Sequence, residues 1–276
     1  MSEGKIIIKS EKEIEKIRES CKIAACVMQR TLGFMHPFIT TAKIDKFIDS
    51  QIKSFHSAPS FKNFEGYKYS SCISINDEVV HGIPDDRKIK RGDLVSVDLG
   101  VYYNGFHSDM CVTVEIPGAK MEDGRWKMED RNWRTEGGKL LITGGKQKRF
   151  LEAGISALDN AIVMCKPGNR VGDISYAMQS AVEGSGYNVV RDLVGHGVGR
   201  NLHEEPQIPC FGKKGAGYKL APGMVIAVEV MYMKGKHYLN IKEDGWTFKT
   251  SDSSLSAMFE HTVAITKEGP EVLTKL

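Results

Sequence analysis

The sequence predicts an α+β protein made of two related halves, roughly residues 10–116 and 149–268, whose sheets merge around one central site. Three observations carry this. A helix, helix, strand order occurs twice along the chain. Spacings recur with it: Pro37 to Gly92 is 55 residues and Pro167 to Gly223 is 56, and Ile44 and Ile174 each follow their proline by seven. Each copy then ends a strand on a carboxylate six residues after its glycine, in Gly-Asp-Leu-Val-Ser-Val-Asp98 and Gly-Met-Val-Ile-Ala-Val-Glu229. Each half also holds a His-Gly step among aliphatics, Val80-His81-Gly82-Ile83 and Gly195-His196-Gly197-Val198. Chance can produce one such coincidence; four in register favour a duplication related by a pseudo-two-fold axis.

The elements follow in order. Ser10 with Glu13 is a capping-box signature, and Ile14, Ile17, Cys21, Ala24, Ala25 and Met28 fall near helical spacing, so a helix runs to about Gly33. A second helical stretch covers Ile44, Phe47, Ile48 and Ile52. Cys72–Ile75 reads as a strand, as does Leu94–Leu99 after the turn Arg91-Gly92-Asp93. Asn104-Gly105 is a hairpin turn that leads into a strand from Phe106 to Val114. In the second half, Phe150–Met164 is helical, Lys166-Pro167-Gly168 breaks it, and a helix from about Val171 to Glu183 ends at Gly184. A strand from Met224 to Met231 follows the turn Pro222-Gly223.

Between the halves, residues 118–148 hold few aliphatics, many glycines and more basic than acidic residues. Two readings stand: a solvated surface excursion, helical around Trp126 and Trp133, or a docking surface for an anionic partner. The first is the simpler.

The 276 residues suffice for a sizeable core, and 41% hydrophobic and 26% charged content is ordinary for a soluble globular protein. A net charge of +3 is too small to argue nucleic-acid binding. The six cysteines form no C-x-x-C pair and are read as free thiols in a reducing compartment. The N-terminus shows no signal-peptide core and no stretch approaches a membrane span, so a cytoplasmic protein is expected.

Carboxylates that close apolar strands are costly to bury without a cation or hydrogen-bond donors. Asp98 and Glu229 could instead face water at a strand edge; their pairing by duplication favours a shared cation. Asp109, eleven residues after Asp98, lies on the other arm of the hairpin, and Glu260 plays the matching part in the second half. His196 sits among glycines that allow close backbone approach. Four carboxylates and one imidazole make a poor structural zinc site and suit a pair of harder divalent ions. Such a pair activates water and polarises a carbonyl for hydrolysis.

Several motifs are now specific. His81-Gly-Ile-Pro-Asp-Asp, Val97-Asp98-Leu with Asp109, Gly195-His-Gly-Val-Gly-Arg200-x-x-His203-Glu-Glu-Pro206, Pro222-Gly-Met, and Gly245-Trp with Ser-Leu-Ser-Ala-x-x-Glu260-His261-Thr resemble the type I methionine aminopeptidases. The likeness covers nearly the whole chain outside 118–148. It implies the pita-bread fold, here one catalytic domain over 1–276 with an insertion at 118–148, and removal of the first methionine from nascent chains. Asp98 is then expected to chelate one metal, Asp109 and Glu260 to bridge two, and His196 and Glu229 to complete the second. His81 would hydrogen-bond the scissile amide, His203 would donate to the carbonyl oxygen, and Glu229 would accept a proton from water. The methionine pocket would comprise Phe64, Tyr67, Cys72, Leu202 and Trp246. A sodium or potassium ion would bind at Asn76, Glu78 and Ser256, and the divalent pair would be manganese, iron, cobalt or zinc.

The sequence departs from the family pattern at Leu202, where phenylalanine is usual, Phe64 (tyrosine), Glu65 (histidine) and Val230 (proline). A monomer without membrane contact is expected, and the basic excursion extends the partner list to the ribosome. Two alternatives share the fold: an X-Pro aminopeptidase or prolidase, and a pita-bread binding protein without catalysis. The first usually carries an added N-terminal domain; the second usually lacks some of the five donors.

Overall fold

The computed structural model describes residues 5–122, 125–128 and 131–276. Ser10 starts α1 (Glu11–Phe34) as its signature requires: its hydroxyl accepts from the Glu13 amide, while Glu13 Oε2 accepts from the Ser10 amide at 2.9 Å. α2 (Thr41–Ser54) begins on Thr40, whose hydroxyl accepts from the Lys43 amide, and buries Ile44, Ile48 and Ile52 completely. Each of these isoleucines is worth about 1.5–3 kcal/mol of transfer free energy. The rest of the first half comprises β1 (Ser71–Ile75), β2 (Leu94–Tyr103) and β3 (Phe106–Glu115). The second half repeats the plan with α3 (Lys148–Met164), α4 (Val171–Gly184), β4 (Val194–Gly197), β5 (Glu204–Pro209), β6 (Val225–Met233) and β7 (Ser256–Ile265). β2 runs four residues past the predicted end at Leu99, because the hairpin turn lies at Asn104 and Gly105, both with positive φ.

One large antiparallel sheet joins both halves in the order β2–β3–β7–β6–β4–β5, with β1 on the outer side of β2. Side chains alternate across it. In β6, Ile226, Val228, Val230 and Tyr232 face the helices, and the Tyr232 hydroxyl donates to the Phe150 carbonyl of α3 at 2.6 Å. Ala227, Glu229 and Met231 point to the opposite face. α1 packs on β2 and β3 as α3 packs on β6 and β7.

The halves join at the β3–β7 seam, where Cys111 is paired with Glu260 and Met110 with His261. Two threonines are related by the pseudo-two-fold axis there. Thr113 Oγ1 donates to the Met258 carbonyl at 2.6 Å and accepts from its amide; Thr262 Oγ1 does the same for Asp109, at 2.7 and 3.0 Å.

The register corrects two expectations. Asp98 pairs with Cys111, and Glu229 pairs with Glu260, so the counterpart of Glu260 is Cys111 and not Asp109. Asp109 is two residues away, opposite Gly100. Likewise His196 pairs with Ala227 and its equivalent in β1 is Ser74, which pairs with Ser96. His81 lies outside the strands, after the short strand Glu78–Val80, with φ of 56°.

Among its described residues the connection between the halves is also not helical. It holds two antiparallel strand pairs, Ala119–Glu122 with Arg125–Met128 and Trp133–Glu136 with Lys139–Ile142. The second is not a free excursion: Trp133, Leu140 and Ile142 are buried in the main core, and the Leu276 amide donates to the Gly138 carbonyl at 3.0 Å. The alternation of Trp133 with polar residues, and of Leu140 and Ile142, explains the strands. All six cysteines are free, as expected. Among the described residues no helix is long and apolar enough to cross a membrane.

Candidate active site

Five donors converge on the sheet face away from the helices. Asp98 comes from β2, Asp109 from β3, His196 from β4, Glu229 from β6 and Glu260 from β7, and all five line one cavity of about 530 Å³. Donor atoms of Asp109, His196 and Glu260 lie within 4.8 Å of one another, and His196 Nε2 is 3.8 Å from Asp109 Oδ2. Gly197 is required beside His196, since a Cβ there would meet the Glu205 carbonyl oxygen at 2.4 Å. The His196 Nδ1 lies 2.8 Å from the Gly197 carbonyl, which orients the ring with Nε2 toward the acids.

The electrostatics are those of a site built for cations. Burial pushes the Asp98 carboxyl up to about 7. Burial, with the negative charge of neighbouring acids added, drives Asp109, Glu229 and Glu260 well above the usual carboxylate range. Burial also holds His196 neutral, down to about 3. Asp98 Oδ1 and Asp109 Oδ1 are buried without any hydrogen-bond partner. Buried acceptors of this kind ordinarily find donors. A neutral imidazole, four clustered carboxylates and two orphaned oxygens together fit hard divalent ions.

At the other end of the cavity is an apolar cluster separate from the main core: Phe61, Tyr67, Cys72 and Leu202, with Phe64, Tyr69, Ile83 and Trp246 against it. Each predicted pocket residue is in it. Tyr67 is fixed by its hydroxyl, which donates to the Ser71 carbonyl at 2.9 Å, and packs edge-on to Trp246 at 5.1 Å. Trp246 is presented by a turn in which Asp244 accepts from the Trp246 and Thr247 amides. Phe64 sits in a one-turn helix between Asn63 and Glu65, both with positive φ.

His81 and His203, the two histidines expected to face substrate, also line the cavity. His203 is exposed at the rim, its ring centre 4.3 Å from that of His196 and 4.9 Å from Phe64. Burial pushes His81 down to about 4, so its ring is neutral at physiological pH. The three residues expected to hold a monovalent cation are neighbours: the Ser256 hydroxyl lies 3.0 Å from the Asn76 and the Glu78 carbonyl oxygens, to which it is placed to donate.

Sequence reasoning passed over Phe61, Ile83, Met231 and Met258, all on the cavity or its apolar cluster. Two carried a signal. Met231 is two residues after Glu229 and Met258 two before Glu260, so strand alternation puts each beside its acid. Phe61 and Ile83 lie in irregular segments whose direction no periodicity gives.

The methionine aminopeptidase 1 of Bacillus subtilis (strain 168) is 37% identical to the chain over 271 residues, covering 98% of the chain and all of that protein. The solved methionine aminopeptidase of Thermotoga maritima superposes with a TM-score of 0.87 at 40% identity, covering 99% of the chain and all of the other. The prolidase of Pyrococcus furiosus gives a TM-score of 0.73 at 24% identity, with 98% of the chain matched to 66% of that protein, a likeness of fold alone. The family model for metallopeptidase family M24 spans residues 15–267, both halves and every donor on the cavity, and the chain belongs to that family.

Proposed function

We propose that the chain is a methionyl aminopeptidase that removes the N-terminal methionine of nascent proteins. The observation that carries the reading is the cavity itself: an apolar, aromatic-lined subsite with a thiol opens directly onto the five-donor cluster. Such a subsite suits an unbranched, polarisable thioether. Asp98, Asp109, His196, Glu229 and Glu260 are assigned to hold two divalent ions, whose identity among manganese, iron, cobalt and zinc follows availability. Ions bound there would lower the pKa of a water and polarise the scissile carbonyl.

The chain's own groups then complete the reaction. Glu229 takes the proton of the attacking water as its oxygen adds to the carbonyl carbon. His203 donates to the carbonyl oxygen as negative charge grows there. His81 hydrogen-bonds the scissile amide, the C–N bond breaks, and the proton passes to the departing amine. Asn76, Glu78 and Ser256 are the residues assigned to hold a sodium or potassium ion. One catalytic domain over 1–276 acting as a monomer accounts for the work, with the inserted hairpins as an accessory.

Comparing Met-Ala-Ser with Ala-Pro peptides tests the reading. Hydrolysis of the first is expected; hydrolysis of only the second would replace it with an X-Pro peptidase. Contact with ribosomal RNA is proposed for the basic insertion, through phosphates. Arg134 and Lys139, both exposed, are the groups to reverse in charge, because deleting the hairpin would uncover Trp133. Ribosome co-sedimentation unchanged by Arg134→Glu with Lys139→Glu would reject that contact.

A further inference from the structure

The segment before α1 lies against the second half rather than its own. The Lys9 amide donates to the Gly223 carbonyl at 2.8 Å, and its ammonium forms an ion pair with Glu204 in which both side chains are 1% exposed. Lysine is almost never buried so fully unless paired. A buried pair of this kind adds little stability over apolar residues, and its best attested use is to fix one arrangement.

What it fixes is a short turn at the cavity. The other oxygen of Glu204 accepts from the Asn201 amide at 2.9 Å, so one carboxylate ties both ends of residues 201–204. A Cβ on Gly199 would meet Lys9 Cε at 2.8 Å, so the turn lies directly on the lysine stem. Arg200 pairs with Glu13 of α1 at 2.7 Å, and the His107 amide donates to the Gly199 carbonyl at 2.7 Å. Between Asn201 and Glu204 stand only Leu202, a wall of the apolar subsite, and His203.

We propose that Lys9 is a positioning residue: acting through Glu204, it holds the 199–204 turn so that Leu202 closes the side-chain subsite, and it thereby sets selectivity for the first residue. The inference rests on the aminopeptidase reading above. It assigns to a residue remote in sequence, and out of reach of substrate, a share in substrate choice.

The test uses the full chain with Lys9→Met, Glu204→Gln and Lys9→Arg. Arg18→Ala is the control, since it breaks a 2.9 Å ion pair with Glu271 away from the turn. Two quantities are read: native-state trypsin cleavage after Arg200, and the ratio of kcat/KM for Met-Ala-Ser over Leu-Ala-Ser. Lys9→Met should speed cleavage after Arg200 by about tenfold and narrow the ratio by about fivefold. Glu204→Gln, which keeps the Asn201 hydrogen bond, should move both in the same direction but less, and it carries the test if Lys9→Met fails to fold. Lys9→Arg should restore both, and Arg18→Ala should lower the melting temperature while moving neither. A lowered melting temperature in Lys9→Met with both readouts unchanged would overturn the proposal, and so would faster cleavage with an unchanged ratio. If the parent cleaves no methionyl peptide, the proposed function falls, while cleavage after Arg200 still decides whether Lys9 holds the turn.

Discussion

The two halves share a scaffold and differ at the site. In the second half Glu229 stands directly across from Glu260, two like charges in register, an arrangement that disfavours a strand pair unless something positive lies between them. In the first half Asp98 faces Cys111, and its companion acid, Asp109, is displaced by two residues to face Gly100. The longer glutamates meet head-on and the shorter aspartates diagonally. The histidines differ more. His196 is on a strand and 3.8 Å from Asp109, whereas its equivalent is Ser74, whose hydroxyl accepts from the Gly82 amide. The duplication has kept the turn glycines, the paired threonines of the seam and the acids Asp98 and Glu229, while Asp109, Glu260 and His196 stand where the symmetry is broken.

The largest test of that contrast exchanges the unmatched acid. Asp109→Ala should lower kcat/KM by about 10³-fold or more with loss of bound metal, while Cys111→Ala, at the position equivalent to Glu260, should leave activity within about threefold. Peptidase assays and metal analysis check both. Next, His81→Asn should cost about 10²-fold in kcat/KM, without changing the shape of the profile between pH 6 and 9. Its folded pKa of about 4 lies below the ordinary 6.5. The neutral ring therefore contributes stability fully above pH 6.5, and that stability is lost as pH falls toward 4. A step near pH 6.5 in kcat/KM that disappears in His81→Asn would contradict the assignment.

The seam threonines give a finer comparison. Thr113→Val and Thr262→Val each leave a buried amide unpaired and should each cost about 1–3 kcal/mol in denaturant unfolding. Only Thr262→Val should also weaken metal binding, by about 10–100-fold, because it frees the Asp109 backbone. The smallest effect is in the subsite. Leu202→Ala should reduce the preference for methionyl over leucyl peptides by up to about tenfold, measured as a ratio of kcat/KM.

Much of this was legible in the sequence. The capping box at Ser10, the Asn104-Gly105 hairpin and the strands that carry Asp98 and Glu229 read directly, because each is a local rule with few competitors, but both strands run four residues or more past the acids expected to close them. That Asp98, Asp109, His196, Glu229 and Glu260 share one cavity was legible through their apolar surroundings and motifs. The pairing of Asp109 with Glu260 as equivalents was misread, since register depends on hydrogen bonds between strands remote in sequence. The helices expected near Trp126 and Trp133 were misread because two tryptophans among charges carry no clear period, and the burial of Trp133 in the main core decided the outcome there. Lys9 gave no local signal at all: its partner lies 195 residues away.

The central claim is that donors from both halves hold two divalent ions. Anomalous diffraction at the manganese edge, from crystals of the chain loaded with manganese, tests it most directly. Two peaks are predicted, both touching Asp109 and Glu260, one completed by Asp98 and the other by His196 and Glu229. A fully active crystal with no peak among these five residues would contradict it.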